Sequence, residues 1–155
     1  MKLTLIIVAA IIIGIPTVAY LIGMLLPVQH VATSERSIAA PAVVVAEWVR
    51  DVSGQTKWRD GVRKIEILQQ SPTLPYRETS GNGQITFLFR EVETARRFES
   101  VIDDPTLPFG GMWNIALEPQ GNLTRVVIRE EGEVRSPIFR FASKYVFGHD
   151  ETNEE

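Results

Sequence analysis

The stretch GGMWNIALEPQGNLTRVVIREEGEV, residues 110–134, decides the fold. Apolar and polar side chains alternate on both sides of a turn at 119–122. A period of two places alternate side chains on opposite sides of a strand, so the stretch predicts a two-stranded hairpin with one buried face. The residues that share this face are Trp113, Ile115, Leu117, Val126 and Ile128. The fold depends on what covers them.

The rest of the chain predicts further strands and one large apolar segment that could cover the apolar face of the sheet. Residues 28–38 alternate as a strand does, and Pro41 precedes two short helical segments. Strand-like stretches and turn residues continue to Val134, which makes about six strands after the helices. From Pro137 the apolar residues return to helical spacing. The order predicts an α+β domain in which the C-terminal helix covers the apolar face of an antiparallel sheet.

The N-terminal segment predicts a membrane anchor. Residues 3–26 contain no charge, and 24 residues in a helix extend about 36 Å, whereas a hydrocarbon core is about 30 Å thick. The alternative is a signal peptide cleaved after Ala19, which would leave the apolar start YLIGMLLP. We expect a single-pass transmembrane helix within residues 1–27. Lys2 precedes it and only Arg36 follows closely, which favours an extracytoplasmic domain.

Composition excludes several classes of function. The chain has 16 basic and 19 acidic residues, interspersed, so it lacks the basic surface of a nucleic-acid-binding protein. It has no cysteine, which excludes disulfides, thiolate metal sites and a cysteine nucleophile. The two histidines, His30 and His149, are far apart in the sequence. We therefore expect no metal site and no cofactor.

Three segments together resemble the SRPBCC, or START-like, superfamily, and in particular its polyketide cyclase/dehydrase-like members. They are ERSIAAPAVVVAEWVRDVSGQTKW at 35–58, the hairpin quoted above, and the SPIFRF that follows it. The resemblance covers residues 28–148 and leaves 149–155 as an acidic tail. It implies a helix-grip fold, an antiparallel sheet wrapped around a C-terminal helix that encloses a cavity for a lipid, polyketide or other apolar ligand. The segment from Pro137 onward is shorter than the usual last helix of the superfamily.

On this resemblance, the apolar face and the last helix would line the ligand cavity. The expected ligand-binding residues are Phe87, Phe89, Trp113, Ile115, Leu117, Val126, Ile128, Phe141 and Tyr145. Trp113 is also compatible with an ordinary core position. Trp48 is expected in the core, and Trp58 in packing beside the short helices.

Glu130 is the candidate catalytic residue. It shares the parity of Val126 and Ile128, so its carboxylate would point towards the cavity, where it could act as an acid or base. The competing interpretation is a structural ion pair with Arg90 or Arg96.

The sequence therefore predicts a membrane-tethered domain that binds a lipid or other apolar small molecule, for sequestration or transfer. One alternative is a polyketide cyclase- or dehydratase-like enzyme, with Glu130 as acid or base and with Trp113 and Tyr76 shaping the pocket. The other is an interaction domain without a ligand.

Overall fold

The computed structural model describes residues 2–81 and 83–145. Its helices are α1 (Lys2–Leu25), α2 (Ala42–Arg50) and α3 (Pro137–Tyr145), with a 3₁₀ helix at Ser53–Lys57. Its strands are β1 (Gln29–Ile38), β2 (Val62–Ile67), β3 (Leu74–Ser80), β4 (Gly83–Glu93), β5 (Arg97–Ile102), β6 (Phe109–Gln120) and β7 (Leu123–Val134). This is the order that the sequence predicted. Residues 146–155, which include the predicted acidic tail, lie outside the described residues.

The strands form one antiparallel sheet. It has seven strands in the order β1-β7-β6-β5-β4-β3-β2, and together with a C-terminal helix it fits the composition of a helix-grip fold. The β6–β7 turn is shorter than predicted, because β6 continues to Gln120 and β7 begins at Leu123. Gly121 has a φ of 66° there, a conformation that costs a glycine no steric clash.

One face of the sheet, here called the inner face, carries the apolar side chains. In the register of the strands, Ser100 lies opposite Trp113 and Phe98 opposite Ile115. The alternation predicted for the hairpin is confirmed, because its apolar residues belong to the core. The buried core residues are Val45, Ala46, Val52, Tyr76, Phe87, Phe89, Phe98, Leu117 and Val126.

Helix α2 contributes to this core through one narrow stripe and contacts β6. Val45 and Ala46 are buried, and Val49 packs against them. The prediction for Trp48 was wrong: its side chain is 52% exposed, because the buried stripe lies about a quarter of a turn away around the helix. Trp58, which follows the 3₁₀ helix, is also exposed.

The chain divides into two compact units, Val31–Gly132 and Met1–His30 with Glu133–Glu155. The first contains the core described above. In the second, α1 and α3 contact each other.

The contact between α1 and α3 is close at Gly23. A Cβ atom on this glycine would lie 1.9 Å from the carbonyl oxygen of Pro137. Nearby, Nη1 of Arg140 donates a hydrogen bond of 2.9 Å to the carbonyl oxygen of Leu26, just beyond the end of α1. The glycine is therefore needed for the two helices to approach this closely.

The apolar N-terminal segment forms a helix, α1, as predicted. Among the residues that the structure describes, however, no helix is both long and apolar enough to cross a membrane. The predicted transmembrane helix is therefore not supported.

Candidate functional site

Aromatic rings occupy the centre of the inner face. Tyr76 stacks on Phe87 with 5.2 Å between ring centroids, and Phe87 lies 6.0 Å from Trp113 at an interplanar angle of 57°. The first pair follows from the register, in which Tyr76 and Phe87 are directly opposite each other. Offset and tilted rings at such distances attract each other beyond simple burial of apolar area. These three rings form a continuous apolar wall from β3 to β6.

The inner face is closed at some positions and accessible at others. Phe87, Leu117 and Val126 are buried, whereas Trp113 and Ile128 are only half-buried. Ile115 is also half-buried, so the accessible part follows β6 and β7. We call the surface formed by Trp113, Ile115 and Ile128 the open patch.

Gly111 lies beside the indole ring of the open patch. A Cβ atom on Gly111 would lie 3.4 Å from Cη2 of Trp113 and 3.5 Å from the carbonyl oxygen of Glu131, which are ordinary van der Waals distances. A small side chain at this position would therefore contact the ring without displacing it.

Two hydroxyl groups lie within this apolar wall. The hydroxyl oxygens of Tyr76 and Ser100 are 3.3 Å apart, and either can donate. Tyr76 is 3% exposed, and burial raises its pKa above the ordinary value of 10.0, although the hydrogen bond from Ser100 and the charge of Arg59 oppose this effect. The phenol therefore stays neutral and able to donate at physiological pH.

A charged group adjoins the hydroxyls. Nη1 of Arg59 donates hydrogen bonds of 2.9 Å to Oε2 of Glu78 and 2.9 Å to Oε1 of Gln55. The Glu78 side chain is 10% exposed and that of Arg59 is 37% exposed. A carboxylate this deeply buried needs a partner, and the arginine provides it. The guanidinium also remains within reach of solvent.

Sequence comparison identifies the family of this domain. Residues 29–149 match the family model described as "Polyketide cyclase / dehydrase and lipid transport", which is more than half of the chain. The chain belongs to this family. The predicted membership of the START-like superfamily is thus confirmed. A search of curated proteins found no match.

Solved structures show the same fold as this member of the polyketide cyclase/dehydrase and lipid transport family. One is a START superfamily protein from Mycobacterium smegmatis, which is 15% identical with a TM-score of 0.61, over 74% of this chain and 88% of that one. Another is the Zhui aromatase/cyclase from Streptomyces, 21% identical with a TM-score of 0.58, over 70% of each chain. A third is norcoclaurine synthase from Thalictrum flavum, 16% identical with a TM-score of 0.60, over 77% of this chain and 78% of that one.

The structure brings most of the predicted ligand-binding residues of this family member into one cluster. Those in or against the core are Phe87, Phe89, Trp113, Ile115, Leu117, Val126 and Ile128. Phe141 and Tyr145 lie on α3, with their ring centroids 5.0 Å apart, and belong to the other compact unit. That any of these residues binds a ligand remains a prediction.

Glu130, the predicted acid or base, is half-buried on β7. Of the two arginines proposed as its ion-pair partners, Arg90 bonds Glu99 through its Nε at 2.7 Å. A catalytic role for Glu130 remains a prediction.

The sequence pattern did not indicate a role in the site for Gln55, Arg59, Glu78 or Ser100. The period of two on β3 could have identified Glu78, because it shares the parity of Tyr76. Arg59 lies in the loop between the 3₁₀ helix and β2. A loop has no regular period, so the sequence could not predict the direction of its side chain. Within residues 2–81 and 83–145, no group of three or more histidine or carboxylate residues is placed to hold a metal ion.

Proposed function

We propose that the protein binds a lipid or another apolar small molecule on the inner face of its sheet, for sequestration or transfer. The observation that carries the proposal is the open patch: Trp113, Ile115 and Ile128 adjoin a closed aromatic core but stay half-buried. Removing apolar surface from water contributes about 25 cal/mol per Å². A ligand that covers these side chains would gain that free energy, and the family description, which includes lipid transport, agrees with this role.

The proposal includes attachment to a membrane through residues 3–26, with the domain on the extracytoplasmic side. Helix α1 exposes many large apolar side chains, and a lipid bilayer would cover them. Those exposed are Ile11, Ile12, Ile13, Ile15, Val18, Leu21, Met24 and Leu25. Attachment would hold the open patch near ligands dissolved in the bilayer and raise their effective concentration.

Cell fractionation tests the attachment. The full chain should sediment with membranes, and a chain that lacks residues 1–27 should not. An alkaline wash then separates a spanning helix, which resists it, from a surface-bound one, which is released. Recovery of the full chain in the soluble fraction would contradict the attachment without bearing on the open patch.

Two neighbouring substitutions on β7 test the binding proposal. Ile128 and Val127 are both half-buried but have opposite parity along the strand. Ile128→Thr should weaken binding of methylnaphthalene, a small apolar probe, about tenfold, because it places a hydroxyl in the open patch. Val127→Thr, the matched control, should leave binding unchanged. Calorimetric titration measures both, and equal effects of the two variants would contradict the proposal.

A cyclase- or dehydratase-like activity is the second candidate function. The polar groups near the aromatic wall favour it, because Tyr76, Ser100 and the Arg59–Glu78 pair could orient or polarise a substrate carbonyl. Glu130 would act as the acid or base. The test is turnover of a linear polyketide-like substrate by the full chain. Glu130→Gln should abolish it, and unchanged turnover would remove Glu130 from the reaction.

A further inference from the structure

We infer that the hydroxyl pair of Tyr76 and Ser100 is the docking point for an uncharged oxygen of the ligand. The ligand would then be an amphipathic molecule with a hydroxyl or carbonyl group, rather than a pure hydrocarbon or a carboxylate. The inference rests on the proposed function and narrows it to a chemical class.

The hydroxyl pair can form more hydrogen bonds than the one between its two members. Two hydroxyl groups offer two donors and four lone pairs. The bond between them uses one of each kind, and a hydrogen bond from Arg59 to the Tyr76 oxygen uses another lone pair, so one donor and two lone pairs remain. Their separation of 3.3 Å exceeds the usual 2.7–2.8 Å for bonds between hydroxyls. A ligand oxygen could accept from one hydroxyl and, if it is itself a hydroxyl, donate to the other. Such a ligand would add one or two hydrogen bonds to the pair.

The hydroxyl pair lies beside the open patch. Ser100 is half-buried and lies directly opposite Trp113 in the β5–β6 register. The ring of Tyr76 stacks on Phe87, which fixes the direction of its hydroxyl. A ligand whose apolar body covers the indole of Trp113 would thus bring a polar group at its end close to Ser100.

The charges beside the hydroxyl pair favour a neutral ligand oxygen over an anionic one. Arg59 and Glu78 both act electrostatically on Tyr76, with opposite sign, and they bond each other at 2.9 Å. The positive charge of Arg59 is therefore already balanced by the carboxylate of Glu78. A ligand carboxylate would lose its hydration and meet the repulsion of Glu78. A neutral oxygen avoids both costs.

Three probes that share one ring system test the inference by calorimetric titration of the full chain. They are naphthol, methylnaphthalene and naphthoate, which carry a hydroxyl, a methyl and a carboxylate on the same ring system. Naphthol should bind about tenfold more tightly than methylnaphthalene, and naphthoate should bind more weakly than naphthol.

The variants Tyr76→Phe and Ser100→Ala should each remove most of the preference for naphthol and leave the affinity for methylnaphthalene unchanged. The controls Tyr20→Phe and Ser34→Ala alter exposed residues and should behave as the natural chain does. Because Tyr76 is buried, Ser100→Ala keeps the test open if Tyr76→Phe fails to fold.

Four outcomes would overturn the inference. If methylnaphthalene binds as tightly as naphthol, or if the preference survives in both variants, the inference is wrong and the proposed function stands. A tighter complex with naphthoate would equally overturn the choice of a neutral oxygen. If neither naphthol nor methylnaphthalene binds, the proposed function is contradicted and the inference falls with it.

Discussion

At the scale of single residues, Tyr76 combines two properties that are usually separate. Its ring is part of an apolar stack with Phe87, and its hydroxyl is 3.3 Å from that of Ser100. Because the residue is 3% exposed, ionisation of the phenol would place a charge where it is poorly hydrated. Burial therefore favours the neutral form of the phenol and raises its pKa.

This property predicts how stability depends on pH. Burial raises the pKa of Tyr76 in the folded state above 10.0, so the folded chain keeps the proton at a pH where the unfolded chain loses it. The free energy of unfolding should therefore fall as the pH rises above about 10. In Tyr76→Phe this fall should be smaller, although the variant loses about 1 kcal/mol at neutral pH with its hydrogen bond.

The measurement is urea denaturation of both chains at several pH values between neutral and strongly alkaline. Tyr20→Phe serves as the control, because Tyr20 is exposed on α1. Parallel pH profiles for Tyr76→Phe and the natural chain would show that the phenol is not protected by burial.

The sequence predicted which face of the sheet a residue occupies better than it predicted how deeply that residue is buried. Strand parity placed Trp113, Ile115 and Leu117 on the correct face, because a sheet leaves each side chain only two directions. It did not tell which of them would be fully buried, since Leu117 is 2% exposed while its neighbours are half-buried. Burial depends on which elements cover each position, and parity along one strand carries no such information.

At the scale of elements, the α1–α3 contact depends on a residue with no side chain. A Cβ atom at Gly23 would overlap the backbone of Pro137, which cannot turn aside as a flexible side chain would. Gly14, on the same helix, has open space where its Cβ would be. The two glycines therefore form a matched pair.

Gly23→Ala should force α1 and α3 apart, whereas Gly14→Ala should leave the contact intact. Overpacking costs about 1–3 kcal/mol, so amide hydrogens of α3 should exchange with solvent about tenfold faster in Gly23→Ala. Hydrogen exchange followed by mass spectrometry of the full chain measures this. Equal protection of α3 in the two variants would contradict the close approach at Gly23.

Helices and strands were predicted well where a periodic pattern extended over many residues, and less well where it extended over few. The strands of the β6–β7 hairpin have 12 residues each and gave an unambiguous alternation. Helix α2 has nine residues with apolar side chains over a wide arc, so its pattern did not tell that Trp48 would be exposed. The pairing of Arg50 in α2 with Glu91 in β4, at 2.5 Å, joins residues 41 positions apart and has no sequence signature.

At the scale of the whole molecule, the fold was the most predictable property and the ligand the least. The order of elements and three short segments predicted the superfamily, and the match of the family model to residues 29–149 confirms it. Function is carried by a few side chains on the shared scaffold. The N-terminal helix was also predicted only in part. Its uncharged sequence correctly predicted a helix, but the described residues do not support the prediction that this helix crosses a membrane.

The central claim is that this domain carries an apolar ligand, and native mass spectrometry of the full chain tests it most directly. The protein is extracted gently from its own cells, and any bound molecule is released into organic solvent and weighed. We expect one bound small molecule per chain, apolar apart from a neutral oxygen-bearing group. The amount of this molecule should be reduced in Ile128→Thr but not in Val127→Thr. A chain that is recovered empty and binds neither naphthol nor methylnaphthalene would contradict the account and favour an interaction domain.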